Sequence, residues 1–178
     1  MGDFKPSKEL LAIQPKAVLL GIENHRLVDK ETDRFEDVKQ LRPLFSQERR
    51  RYSGVVTDIV FDYFLIKHWG RFAAVDFDLF INQAHSGLQQ SMELMPPRMR
   101  YVIANMIEHD WLRTYSTLDG ISITIDQVSK RIRFENSMAG SIDEVKKHYE
   151  QIELCFLKLF KHLQDVVNTQ RVEFPDED

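Results

Sequence analysis

The sequence predicts an all-α protein, a single-domain helical bundle, and three observations carry that prediction. Apolar residues recur at three- and four-residue steps along most of the chain. Seven glycines and six prolines in 178 residues are too few for the many turns of an all-β fold. A composition of 43% hydrophobic and 29% charged residues suits a soluble globular chain long enough to bury a substantial core.

Residues 1–14 read as irregular or weakly helical. Pro15 suits the first turn of a helix carrying Val18, Ile22, His25 and Asp29 and closing over residues 30–33. A short helix is expected over 35–41, interrupted at Pro43. The basic segment 44–52 leads into a long apolar helix over 53–69. Residues 76–93 carry Phe80, Ala84, Leu88 and Met92 at helical spacing, and Pro96-Pro97 ends that element and opens another over 98–108. The helical pattern resumes over 111–118, with Gly120 as a tight connection. Ile121–Ile125 is β-branched enough for a strand, but its continuation through Val128 and Ile132 fits a helical stripe better. Ser141 and Glu144 form a capping-box pattern that should open the last long helix, striped by Val145, His148, Ile152, Phe156, Leu159 and Leu163. One domain over 1–170 with an acidic tail over 171–178 follows, with no repeat or linker.

Several functions are disfavoured. No apolar run reaches the ~20 residues needed to span a bilayer, and no hydrophobic segment follows the first basic residue to make a signal peptide. A cytoplasmic protein is the expectation, and Cys155 in an apolar setting fits a buried thiol in a reducing compartment. The net charge of −4 disfavours nucleic acid as a partner, although without residues 173–178 the 24 basic residues face 24 acidic ones.

The polar residues inside two apolar helices are the candidate site. At about 100° per residue, His25, Asp29 and Asp33 fall in one arc with Val18 and Ile22. Asp58 and Asp62 lie one turn apart in a helix with almost no polar surface. Carboxylates facing a core are costly unless a metal, an arginine or dense hydrogen bonding compensates them. Oxygen donors with an imidazole suit Mn²⁺ or Mg²⁺, and phosphoester hydrolysis is the natural chemistry of such a cation. Spacing alone favours structural roles for His25 and Asp29 and a solvated helix end for Asp33. For Asp58 and Asp62, a site and a salt bridge to arginine explain the pattern equally well. Arg49-Arg50-Arg51 is either a solvated face or a phosphate grip.

The pattern Gly21-x-x-x-His25-Arg26-x-x-Asp29-x-x-Thr32-Asp33, the arginine run, and Asp58-x-x-x-Asp62-x-Phe64-Leu65-x-x-His68-Trp69 resembles the acyl-carrier-protein phosphodiesterases. Gly2-Asp3-Phe4, Trp111-Leu112-x-x-Tyr115 with Gly120-Ile121, and the aromatic-rich stretch from Tyr149 to Phe160 extend the likeness over nearly the whole chain. The resemblance implies an all-helical fold distantly similar to HD-type phosphohydrolases. It also implies release of 4′-phosphopantetheine from holo acyl carrier protein with Mn²⁺ or Mg²⁺. On matching positions it makes Asp3, His25, Asp29, Asp58 and Asp62 metal ligands, with Asp58, Asp62 and His25 catalytic. Arg26, Arg49, Arg50 and Arg51 become phosphate contacts, and an acidic carrier protein would suit a basic patch beside them. The family's histidine-bearing helix before Gly-Asp-Phe is not in this sequence. That motivates one alternative, a catalytically silent helical binding domain lacking this helix; another keeps the chemistry and changes the substrate, as an HD-type hydrolase of a nucleotide or other small phosphoester.

Overall fold

The computed structural model describes residue 4 and residues 6–172, and these form an all-α structure with no strand among them. The elements are α1 (Lys8–Ala12), α2 (Lys16–Arg34), α3 (Glu36–Lys39), α4 (Ser53–Lys67), α5 (Trp69–Phe72) and α6 (Phe77–Gln90). They continue as α7 (Pro97–Glu108), α8 (Trp111–Thr114), α9 (Leu118–Arg131), α10 (Ile142–Lys147) and α11 (Tyr149–Gln170). Helix starts follow local chemistry. The Ser7 hydroxyl accepts from the Leu10 N–H, Asp76 accepts from the Asp78 and Leu79 N–H groups, and Thr117 accepts from the Gly120 N–H. The β-branched stretch 121–125 is helical, with Ile121 and Ile125 wholly buried.

Helix α4 is the spine, packed by α9 and α11, while α2 lies along α11. Val56, Val60 and Phe64 are completely buried on it, each worth about 1.5–3 kcal/mol relative to exposure. Phe64 meets Tyr149 edge-on at 5.1 Å and Phe156 in a stack at 6.0 Å. No helix of the described residues is long and apolar enough to cross a membrane.

Two helices expected to be continuous are broken. His68 (φ −101°, ψ 13°) separates α4 from α5, and its ring nitrogen lies 2.7 Å from the Glu153 carboxylate, which also accepts from Lys67 at 2.7 Å. His148 (φ −112°, ψ 23°) separates α10 from α11 in the same way. The capping box at Ser141 is a correction: Ser141 is itself helical in backbone and its hydroxyl donates to the Met138 carbonyl. Glu144 is drawn away to accept from the Ser46 N–H at 3.2 Å and to pair with Arg49 at 3.6 Å. Tertiary partners across the fold have replaced the local box.

One glycine is required by close approach. A Cβ on Gly120 would lie 1.8 Å from the Thr114 carbonyl oxygen, so only hydrogen lets α9 start against the end of α8.

Candidate active site

A groove of about 520 Å³ opens between α2, α4 and α11. Asp29, Thr32 and Asp33 face it from α2, and Asp58 and Asp62 from α4. Phe156, Leu159, Phe160 and Leu163 of α11 make the opposite wall apolar. Helical geometry explains the assembly: 29 and 33 on α2, and 58 and 62 on α4, are each one turn apart and share a face.

The expectation that Asp29, Asp58 and Asp62 face a packed core is corrected here: all three keep solvent contact, because the faces that carry them border an open groove, and Asp33 is exposed as its place at the helix end implies. Periodicity reveals which residues share a face but not whether another element covers it. The carboxylates are nonetheless crowded. Burial first, then the Asp58 charge, push the Asp62 carboxyl up from its usual 3.8 to about 6. Asp58 is also raised, by burial and by the charges of Asp33 and Asp29.

His25 lies one turn before Asp29, with Nε2 3.4 Å from its carboxylate. No lysine or arginine is among the residues lining the groove, and among the described residues neither Asp58 nor Asp62 has an ion-pair partner. The salt-bridge explanation for these two aspartates is therefore set aside.

The arginines lie elsewhere. Arg26 is exposed on α2 and does not line the groove. Arg49 donates to the carbonyls of Ser137 at 3.0 Å and Ala139 at 3.1 Å, latching the loop before α10. Arg50 donates to the Phe45 carbonyl, and Arg51 lies over the Phe134 ring at 4.9 Å. Asp3 lies outside the described residues, as do residues 173–178 of the acidic tail.

The donor chemistry of the groove suits a hard divalent cation, since four carboxylates and no cationic side chain line it, while His25 reaches it only through its contact with Asp29. Its spacing does not complete a site. Among the described residues no three histidine, cysteine, aspartate or glutamate side chains come together closely enough to hold a metal ion.

A second cleft was not anticipated. It has a volume of about 470 Å³ and lies between α7, α8 and α9, with Asn105, Trp111, Tyr115, Gln127 and Arg131 among its lining. The only signal in the sequence was the Trp111-Leu112-x-x-Tyr115 element, because the other contributors are scattered over three helices.

Fold and groove together define an all-α protein with a carboxylate-lined cleft. The family model for acyl carrier protein phosphodiesterase matches residues 1–163, so this chain belongs to that family, whose members are phosphodiester hydrolases. It is 32% identical to the acyl carrier protein phosphodiesterase of Serratia proteamaculans, over 83% of this chain and 77% of the relative. With that of Pectobacterium atrosepticum the identity is 28%, over 87% of this chain and 81% of the relative. With that of Yersinia pestis it is 29%, over 82% and 76%. No solved structure matches the chain.

Proposed function

We propose that this protein hydrolyses the phosphodiester between 4′-phosphopantetheine and the serine of holo acyl carrier protein, assisted by Mn²⁺ or Mg²⁺ at the Asp58–Asp62 face. Membership of the family supports the reaction. The observation that carries the placement is the pair Asp58 and Asp62, raised together in a groove that holds no cationic side chain. A phosphodiester is an anion, and four carboxylates would repel it unless a cation stood between them.

Such a cation, when bound, would neutralise charge on the phosphoryl oxygens and acidify an attacking water. Asp58 and Asp62 are the groups that would hold it, joined by His25 and Asp29 from α2. Further ligands are needed, since the described donors do not converge as they stand. The protein's own contribution extends beyond ligation. Burial and the Asp58 charge hold the Asp62 carboxyl up to about 6 without a cation, so a cation held by the pair would relieve their crowding. Asp29 orients the His25 ring from one turn away. The apolar wall of α11 lowers the local dielectric, which strengthens every charge interaction in the groove.

The test is incubation with holo acyl carrier protein and Mn²⁺, following loss of the prosthetic arm by intact-protein mass spectrometry. Wild type should release the arm, whereas Asp62→Ala, with its fold intact by circular dichroism, should not. An unchanged carrier protein after prolonged incubation with wild type in either Mn²⁺ or Mg²⁺ would reject the assignment.

A further inference from the structure

The acidic groove is rich in hydrogen-bond acceptors and poor in donors. Its four carboxylates, ionised when they hold a cation, only accept. The rest of its lining is apolar except for Thr32 of α2. Cationic side chains do not make up the deficit. Arg49 and Arg50 are committed to backbone carbonyls and Arg51 to the Phe134 ring, and none of the three lines the groove. Among the described residues of the lining, the Thr32 hydroxyl is therefore the one neutral side-chain donor.

That hydroxyl is also unspent. A threonine in a helix commonly turns its hydroxyl back to the carbonyl four residues earlier. Thr114, Thr124 and Thr169 do so, donating to the carbonyls of Asp110, Gly120 and Asp165 at 3.3, 2.9 and 2.7 Å. Thr32 makes no such bond among the described residues, and none to the carboxylates that share its groove. It is half-buried, three residues after Asp29 and one before Asp33, so it stands beside Asp29 on the same side of α2. No internal bond has to break before its proton meets a ligand.

The chemistry of the two reacting partners decides where that proton goes. A phosphodiester spreads its charge over two non-bridging oxygens, which take donors or cations. A cation held at Asp58 and Asp62 would meet part of that charge and leave the rest to a hydrogen-bond donor. Water, in contrast, brings hydrogens of its own and finds carboxylate acceptors in surplus. The scarce donor thus matches the phosphoryl oxygens.

We propose that the Thr32 hydroxyl donates a hydrogen bond to a non-bridging oxygen of the phosphodiester, as the groove's own donor to its substrate. This rests on the proposed function, because it takes the ligand to be a phosphodiester. The contact is made to the phosphoryl group that all diesters share, so it acts on turnover whatever arm or carrier is attached.

Thr32→Val keeps the branched shape and removes the hydroxyl, whereas Thr32→Ser keeps the hydroxyl. With Mn²⁺, Thr32→Val should lower kcat/KM for holo acyl carrier protein about tenfold, the loss expected for one hydrogen bond to a charged oxygen. Bis(4-nitrophenyl) phosphate, a diester without carrier or arm, should lose by the same factor, and Thr32→Ser should stay near wild type on both. Calorimetric titration with inorganic phosphate in Mg²⁺ gives a readout apart from turnover: Thr32→Val should bind it more weakly than wild type, with its affinity for Mg²⁺ unchanged. A valine variant equal to an active wild type in both rate and phosphate affinity overturns the contact and leaves the function standing. Equal losses in the valine and serine variants overturn it too, since the hydroxyl would then not be what matters. A wild type that releases no arm, yet binds phosphate more tightly than Thr32→Val does, overturns the function and keeps the contact. A wild type that neither releases the arm nor binds phosphate overturns both.

Discussion

Replacing Asp62 by asparagine keeps the shape of the side chain and removes its charge from the most crowded point of the acidic groove. In wild type the Asp62 carboxyl is raised from 3.8 to about 6 by burial and by Asp58. A raised carboxyl favours the folded state below the unfolded value, where both states are protonated, and that advantage is lost as pH rises through the folded value. The loss therefore falls between pH of about 4 and 6. Taken in full, the shift corresponds to about 3 kcal/mol. Asp62 retains solvent contact, and screening reduces this to the order of 1 kcal/mol. Asp62→Asn should accordingly melt about 2–4 °C above wild type at pH 7.5, with the difference shrinking toward zero near pH 4. Differential scanning calorimetry of both proteins across that range, without divalent ions, measures it. Asparagine that destabilises at pH 7.5, or a difference independent of pH, would refute the picture of two carboxylates crowding one another. In contrast to this gain in stability, the same variant should lose hydrolysis of holo acyl carrier protein.

Mn²⁺ at ten times its dissociation constant should stabilise wild type by about 1.4 kcal/mol and leave Asp62→Asn nearly unmoved; equal shifts in the two proteins would place the ion elsewhere. Arg49→Ala should cost about 1–2 kcal/mol in chemical denaturation, through loss of its bonds to the Ser137 and Ala139 carbonyls. Its KM for the carrier protein should not change, and a large rise in KM would return Arg49 to phosphate binding. Gly120→Ala sets two effects against each other. Alanine in a helix gains up to about 1 kcal/mol, but here its methyl would meet the Thr114 carbonyl oxygen at 1.8 Å. The clash should win, with a net loss of about 2 kcal/mol seen in urea unfolding.

Much of the helical order is legible in the residues. Pro15, Asp76, the Pro96-Pro97 pair and the stripe through Ile121 and Ile125 each mark an element that the structure contains. The positions of Asp58 and Asp62 on one face were equally plain. That this face borders water was not, because spacing along one helix says nothing about what a second helix leaves uncovered. Ser141 and Glu144 misled for a related reason. The box is a local competitor for hydrogen bonds, and Arg49 with the Ser46 N–H, about a hundred residues earlier in the chain, outcompeted it. The second cleft needs residues from three helices at once, and no periodicity in any single helix announces it.

Cys155 is the only cysteine of the chain. It is 4% exposed, and burial first, with a contribution from Asp37, pushes its thiol up to about 12. Such a thiol is almost never a thiolate at neutral pH, so it reacts far more slowly with a maleimide than an ordinary exposed thiol does. The pantetheine arm, in contrast, ends in an ordinary exposed thiol. A fluorescent maleimide added to the running reaction would therefore tag carrier protein and released arm while leaving the catalyst dark. Turnover could then be followed on a gel as dye leaving one band, with no need to mutate the enzyme first.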